Sequence, residues 1–209
     1  MNKNSAIKLC ATVVCAASLG GMLSACVPLI VGGAAVGGAL VATDRRTSGA
    51  QLEDEGIELR SIGRINENLG SRVHVNVTSY NRQVLLTGEV PSASDKQLVE
   101  QIVSRVENVR SVANELAVLG ASSLTQRSSD ALITGKVKAA MVDTKDLFAN
   151  AFKVVTERGV VYLMGRVTQR EADRATEIAR STGGVQKVVR LLEIISEEEL
   201  QRTLPAPKS

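Results

Sequence analysis

Aromatic residues, histidine and cysteine are scarce in this 209-residue chain. It has no tryptophan, two tyrosines, two phenylalanines and a single histidine, His74. Any core must therefore be built mainly from aliphatic side chains. His74 lies between Val73 and Val75 in an alternating segment, so we expect it to point away from the core into solvent.

The usual carriers of catalytic chemistry are missing as well. One histidine and no cysteine beyond residue 26 provide neither a metal-ligand set nor a Ser/His/Asp arrangement. No glycine-rich loop is followed by the lysine that a phosphate-binding loop requires. The acidic runs at 53–55 and 197–199 are typical of solvated surface. We therefore predict no catalytic residue, no metal and no cofactor.

The first 25 residues have the pattern of a secretory signal. Lys3 and Lys8 precede an uncharged segment at 9–22, and the letters LSAC follow at 23–26. That ending resembles a bacterial lipobox, which implies cleavage before Cys26 and attachment of diacylglycerol and an acyl chain to it. The alternatives are an ordinary signal peptide or an uncleaved anchor, because the uncharged run continues to residue 43 and could span a bilayer.

The residues around the cleavage site also predict a location. Val27 stands where an aspartate would resemble an inner-membrane retention signal, so we predict the outer membrane, with the folded part facing the periplasm. Residues 26–46 would be the lipidated cysteine and a glycine-rich apolar tether. Their small-xxx-small spacing leaves a membrane helix as the alternative to a flexible tether. Cys10 and Cys15 leave with the signal, so no disulfide framework remains.

One strand pattern occurs twice, at 84–90 (VLLTGEV) and 77 residues later at 161–167 (VYLMGRV). Each copy alternates apolar with other residues and places a glycine, Gly88 or Gly165, two residues before a valine. A fixed offset marks an internal repeat. A glycine inside a strand indicates close approach by another part of the chain, and we predict a helix packed over each structural glycine.

Each repeat has the order helix, strand, strand, helix, strand. The first module, 47–119, has a predicted helix at 52–69, a hairpin turned at 81–82, a helix with Leu98, Ile102 and Val106 in its apolar stripe, and a strand at 109–119. After a linker at 120–127, the second module, 128–196, has predicted helices at 130–142 and 170–182 and strands at 151–156, 160–167 and 185–195. Residues 197–209 are predicted to be a flexible tail.

A hairpin followed by a helix and a parallel strand with a right-handed crossover gives a mixed sheet. Each module is therefore predicted to be a three-stranded mixed sheet packed against two helices, an α+β fold. The pattern apolar-x-Leu-x-Gly-x-Val, then a helix, then Asn-Val or Gly-Val before a valine-rich strand, resembles the BON domain. Two such modules behind a lipobox are similar to lipoproteins of that family.

The resemblance implies binding of anionic phospholipid such as phosphatidylglycerol or cardiolipin. It also implies a part in envelope integrity, with the division site as one candidate location, and no enzymatic activity. The charges agree with this. Residues 47–119 carry 7 basic and 10 acidic side chains, a net of −3, whereas residues 124–196 carry 12 basic and 8 acidic, a net of +4. A basic module tethered near an anionic membrane gains roughly 1 kcal/mol per lysine or arginine that reaches it.

The first helix of the second module is the predicted docking element. If Ile133, Val137 and Met141 face the core, Leu132 and Lys136 share a neighbouring face one turn apart, and Lys138 lies on the other flank. We assign phospholipid contact to Leu132, Lys136 and Lys138, with Ile133 beside them. Lys145 and Lys153 would extend the basic field.

Two other functions stay open at this point. A periplasmic scaffold or regulator would contact another envelope protein through the acidic first module or an exposed strand edge. An envelope enzyme is disfavoured by the single histidine and the absence of a free cysteine. We predict no nucleic-acid partner.

Overall fold

The computed structural model describes residues 44–203, so Cys26 and the predicted tether up to residue 43 lie outside the described residues. The described chain contains both repeats, in the predicted order of elements. Helices long and apolar enough to cross a membrane are absent from residues 44–203.

The first module is a mixed sheet beside two helices. Its elements are α1 (Ser48–Leu69), β1 (His74–Tyr80), β2 (Gln83–Val90), α2 (Ala93–Ser104), β3 (Ser111–Asn114) and β4 (Ala117–Val118). Strand β1 runs antiparallel to β2, and both β3 and β4 run parallel to β2. The predicted last strand is thus broken in two, because Leu116 between the pieces turns into the core and is only 2% exposed.

The second module repeats this arrangement with an unbroken last strand. Its elements are α3 (Leu124–Val142), β5 (Phe152–Glu157), β6 (Val160–Thr168), α4 (Gln169–Ser181), β7 (Lys187–Ile195) and α5 (Glu197–Thr203). Strand β6 pairs antiparallel with β5 and parallel with β7. The α+β fold of two tandem modules, each a mixed sheet against two helices, is therefore confirmed.

Each module has its own aliphatic core between its helices and one face of its sheet. In the second module Ile133, Val137 and Met141 of α3 pack against β5 and β6. In the first, Val99 and Val103 of α2 are fully buried, whereas Leu98 is 37% exposed. The predicted apolar stripe on α2 was therefore wrong at its start, because it began at Leu98 and the buried face begins one residue later, at Val99.

The opposite faces of the two sheets pack against each other. Tyr80 and Leu85 of the first module and Tyr162 and Met164 of the second form one apolar cluster, each side chain at most 4% exposed. Asn76, and Lys153 77 residues later, each reach across to the other module. The Asn76 amide donates to the Glu157 carboxylate at 3.1 Å, and the Lys153 ammonium donates to the Ser79 carbonyl at 3.3 Å. The modules therefore form one folded unit through matching polar and apolar contacts.

A buried aspartate holds each hairpin turn to the helix before it. Asp54 accepts hydrogen bonds from the backbone N–H groups of Asn81 and Arg82, and Asp130 accepts from those of Arg158 and Gly159. Burial alone would raise the pKa of Asp54, but these hydrogen bonds and its other partners hold that pKa below its ordinary value. The expectation that Asp54 belongs to a solvated acidic run was wrong, since it is 2% exposed.

His74 is also more enclosed than expected. Its ring Nδ1 lies 2.9 Å from the Glu89 carboxylate, and the two side chains are 27% and 1% exposed. Arg158 of the second module approaches the same carboxylate at 3.6 Å. The side of the strand that we expected to face water is partly covered by the second module, since Tyr80 on that side is 4% exposed although Asn76 remains exposed.

The two repeat glycines face a neighbouring strand rather than a helix. A Cβ on Gly165 would lie 2.5 Å from the Ala151 carbonyl oxygen, and one on Gly88 would clash with the His74 carbonyl oxygen. Gly88 also has a φ of 110°, which disfavours any residue with a side chain. The predicted packing of a helix over these positions was wrong in its partner, because the crowding atom belongs to the hairpin backbone.

The boundaries outside the modules also differ from the predictions. Helix α3 begins at Leu124 with Ser123 as its N-cap, which shortens the predicted linker at 120–127. The predicted flexible tail begins instead with helix α5, in which Leu200 is only 4% exposed. Glu199 of this helix pairs with Arg166, and Glu197 pairs with Arg170. Burial of one leucine and two ion pairs order these residues.

Candidate functional site

Helix α3 has one face in the core and one face in water. Ile133, Val137 and Met141 are at most 6% exposed, whereas Leu132 is 67% exposed. The assignment of Ile133 to a phospholipid site is therefore corrected, because its side chain packs inside the second module. Leu132, Lys136 and Lys138 are all exposed, as a surface site requires.

The exposed face of α3 carries a strip of uncharged and mainly apolar residues. At about 100° per residue, six positions fall within a sector of roughly 80°. These residues, which we call the α3 strip, are all exposed: Leu124, Ser128, Leu132, Gly135, Ala139 and Val142. Two of its larger side chains, Leu124 and Val142, are 79% and 68% exposed. None of the six is charged.

Lysines border the α3 strip on both sides. By the same helical geometry Lys136 lies about 40° beyond Leu132, and Lys138 lies about 40° beyond Val142 on the opposite edge. Within residues 44–203 neither lysine makes an ion pair or hydrogen bond. Asp143 and Asp146 follow at the C-terminal end of the helix and are also exposed.

Most other basic side chains of the second module are already paired with carboxylates. Arg158 pairs with Glu89, Arg166 with Glu193, and Arg190 with Asp173. Lys153 bonds to Glu58 at 2.8 Å across the module interface, so it does not extend the basic field as expected. Among the lysines of this module, the four without a carboxylate partner in the described residues are Lys136 and Lys138 on α3, Lys145 after it and Lys187 on β7.

The first helix of the first module differs in charge. Helix α1 also exposes leucines, Leu52 at 70% and Leu59 at 73%. By helical geometry, however, Glu55 lies in the same sector of α1 and is exposed. The two helices occupy equivalent places in the repeat, but only α3 combines exposed apolar side chains with flanking lysines.

Metal-ligating side chains do not cluster in the described part of the chain. Across residues 44–203 there is no group of three or more histidine, cysteine, aspartate or glutamate side chains placed to hold a metal ion. An open groove of about 450 Å³ between the modules is lined in part by His74, Asp130 and Glu157. In it Asp130 holds a turn and Glu157 accepts from Asn76, so these carboxylates have structural partners.

The sequence profile of the BON domain matches residues 53–120 and 129–196, which correspond to the two repeats. The chain therefore belongs to the BON-domain family, which is not a family of enzymes.

Among relatives, the chain is 38% identical over 175 residues to the outer membrane lipoprotein DolP of Haemophilus influenzae, covering 83% of this chain and 90% of that one. It is 31% identical over 154 residues to the 21 kDa hemolysin of Actinobacillus pleuropneumoniae, covering 73% and 79% of the two chains. It is 32% identical over 117 residues to the osmotically-inducible protein Y of Escherichia coli, covering 54% and 58%. The match to DolP supports an outer-membrane lipoprotein of the BON family.

Among solved structures, CdsD, a structural protein of the type III secretion system of Chlamydia trachomatis, is similar at a TM-score of 0.30 and 14% identity. The match covers 71% of this chain and 99% of that one.

Proposed function

We propose that this chain is an outer-membrane lipoprotein, anchored by lipid on Cys26, whose second BON module binds anionic phospholipid through α3. Leu132 would enter the boundary between headgroups and acyl chains, while Lys136 and Lys138 would contact the phosphates. The protein would thereby support envelope integrity, including at the division site. Phosphatidylglycerol and cardiolipin are the expected lipids.

The observation that carries this proposal is the α3 strip with an unpaired lysine on each side. A helix lies in a membrane interface when it combines an apolar face with basic residues along its borders. Lysine suits such borders because its aliphatic stem can lie along apolar surface while its ammonium stays with the phosphates. Paired arginines elsewhere on the module have part of their charge neutralised by carboxylates and would contribute less.

A vesicle flotation experiment tests the proposal. The fragment 44–209, which lacks the lipid and the apolar segment, should float with vesicles containing phosphatidylglycerol or cardiolipin and stay behind with phosphatidylcholine alone. Binding should weaken steeply with salt, because the Debye length falls from about 10 Å at 0.1 M to about 3 Å at 1 M. Equal flotation with neutral and anionic vesicles, or none with either, would contradict the proposal.

A scaffold that binds another envelope protein is the second candidate function. The specific observation in its favour is the exposure of Leu52 and Leu59 on α1, which carries Glu55 between them in sequence and belongs to a module of net charge −3. Such a face would repel an anionic membrane and suit a basic protein partner. A photo-crosslinker at Leu59 that traps a protein in cells, while one at Leu132 traps lipid only, would support both functions on separate helices.

A further inference from the structure

Residues 44–46, which the sequence predicts to be part of the tether, contact both modules. Arg45 donates two hydrogen bonds of 2.7 Å to the Glu171 carboxylate and one of 3.1 Å to the Arg166 carbonyl, all in the second module. Arg46, the next residue, bonds to Asp54 of the first module at 2.7 Å. Its guanidinium lies 4.3 Å from the centre of the Tyr80 ring in the same module. Two adjacent residues therefore hold different modules.

The Arg45–Glu171 pair is enclosed. The Arg45 side chain is 5% exposed and the Glu171 side chain 0%. Planar guanidinium and carboxylate groups that form two parallel hydrogen bonds make the strongest ion pairs in proteins. Removing the arginine would leave a buried negative charge without its partner, which is a far larger loss than that of a surface pair.

The internal repeat shows why Arg45 is needed. Asp95 and Glu171 are equivalent residues, each in the first turn of a helix capped by Ser92 or Thr168. Asp95 pairs with Arg72 of its own module, and that arginine is 57% exposed. The position 77 residues after Arg72 is occupied by Ala149, so the second module has no arginine of its own there. Arg45 supplies the missing charge from in front of the first module.

We propose that Asp44, Arg45 and Arg46 form a clasp that completes the second module and locks it against the first. Asp44 contributes by bonding to Arg46 at 2.8 Å, which fixes the guanidinium over Tyr80. The second module is then not a self-sufficient domain, because the partner of its buried Glu171 is Arg45, which precedes the first module in the sequence.

The clasp also fixes where the chain arriving from Cys26 joins the folded unit. The Arg45 guanidinium lies 5.8 Å from the centre of the Phe148 ring. Phe148 and Val142, the last residue of α3, line the same groove of about 200 Å³. Arg45 therefore meets the second module near the end of the α3 strip, an arrangement that would keep the strip close to the bilayer. This last step rests on the proposed function, whereas the clasp itself does not.

The clasp is tested on the full-length lipoprotein in detergent micelles by comparing Arg45→Ala with Arg72→Ala, which breaks the equivalent pair within the first module. Arg45→Ala should lower Tm by roughly 10 °C, and Arg72→Ala by no more than about 3 °C. Adding Glu171→Gln to Arg45→Ala should recover much of the loss, because no buried charge then remains. If Arg45→Ala does not fold, the melting temperatures of Arg45→Lys and of the double variant Arg45→Ala with Glu171→Gln are compared with that of Arg72→Ala instead.

Tyrosine titration distinguishes a clasp from a local ion pair. The only two tyrosines, Tyr80 and Tyr162, both lie in the cluster between the modules, where burial raises the pKa of Tyr80 to about 12. The charge of Arg45 lowers the pKa of Tyr80, so its removal from an intact interface would raise that pKa further. Loosening of the interface would instead move tyrosine titration down toward about 10. We expect the downward shift for Arg45→Ala and no shift for Arg72→Ala; an upward shift or equal behaviour of the two variants would overturn the clasp.

The membrane arm uses the same substitutions in proteoliposomes, with Leu132→Trp as a probe and brominated lipid as quencher. Quenching should fall when Arg45→Ala is added and stay unchanged when Arg72→Ala is added. Unchanged quenching in both cases would overturn the role of the clasp in positioning α3. Absence of quenching with Arg45 in place would instead contradict the proposed function and leave the clasp to the melting and titration results.

Discussion

Gly165 sits where the second hairpin leaves no room for a side chain. A Cβ there would lie 2.5 Å from the Ala151 carbonyl oxygen, a backbone atom that cannot swing away as a flexible side chain would. We predict that Gly165→Val destabilises the protein by about 1–3 kcal/mol through overpacking. Chemical denaturation of the fragment 44–209 measures this.

Gly63→Ala is the matched control for the glycine prediction. Gly63 lies inside α1, and a Cβ there would meet nothing within 4 Å. Alanine favours a helix over glycine by about 1 kcal/mol, so this change should stabilise the protein. A denaturation midpoint for Gly165→Val that equals the wild-type value would show that the hairpin opens at no cost.

Glu157 gives the interface a pH dependence of its own. Burial raises the pKa of Glu157 above its ordinary value, and the neighbouring carboxylates of Glu89 and Asp130 raise it further. A group with a raised pKa in the folded state destabilises the fold at neutral pH, and this penalty is relieved as pH falls through that pKa. Glu157→Gln should therefore stabilise the protein at pH 7, by about 1 kcal/mol or less, and the gain should vanish near pH 4.

Melting curves of wild type and Glu157→Gln across this pH range check the sign. The carboxyls of Asp54 and Glu171 act in the opposite direction, since their partners hold both pKa values below the ordinary ones. Their stabilising contribution is present at neutral pH and is lost as pH falls through the folded-state values, so both proteins should unfold in stronger acid. A variant less stable than wild type at pH 7 would contradict the account of Glu157.

Single residues were predicted well where the periodic pattern decides their place and poorly where a distant partner does. Ile133, Val137 and Met141 follow from helical spacing alone. Asp54 and His74 do not, because their partners at the first hairpin and in the second module come from other parts of the chain. The recurrence of an aspartate at Asp54 and, 76 residues later, at Asp130 was a usable signal, since this offset differs by only one residue from that of the strand pattern and a surface acid has no reason to recur.

At the scale of elements, the order of helices and strands follows from apolar periodicity and the repeat, whereas their ends depend on local bonds. Ser123 caps α3, which begins six residues before its predicted start, and Thr168 caps α4. Helix α5 could not be predicted because its charged sequence has no helical stripe; contacts of Glu199 and Leu200 with the rest of the module order it. The wider α3 strip was missed for the related reason that the predicted helix began too late to include Leu124.

The placement of charge on α3 makes a prediction at this scale. Lys136 and Lys187 are both exposed and unpaired within the described chain, but only Lys136 borders the α3 strip. Lys136→Glu should therefore weaken binding to phosphatidylglycerol vesicles more than Lys187→Glu, although both remove the same charge. Flotation titrations at 0.1 M salt measure the two affinities. Equal losses would mean that only the net charge of the module matters.

At the scale of the whole molecule, the two modules act as one body because a face of each sheet is closed by the other. The sequence carries a partial signal for this in the segments 84–90 and 161–167, where Leu85, Tyr162 and Met164 add apolar side chains to the strand face opposite the regularly apolar one. Such strands are typical of sheets buried on both faces. Which surface covers the second face, and the part played by residues 44–46, are set by long-range pairs such as Arg45 with Glu171 that no local pattern encodes.

The central claim is that α3 enters an anionic membrane surface, and a single tryptophan measures this most directly. The chain has no tryptophan, so Leu132→Trp in the fragment 44–209 reports from the α3 strip alone. Leu59→Trp is the matched control, because Leu132 and Leu59 are similarly exposed, at 67% and 73%, on equivalent helices. They differ in the neighbouring charge, which is Lys136 beside Leu132 and Glu55 beside Leu59. We predict that brominated phosphatidylglycerol vesicles quench and blue-shift the fluorescence of Leu132→Trp and leave Leu59→Trp unchanged, with no effect of neutral vesicles on either. Equal quenching of both variants, or of neither, would contradict the claim.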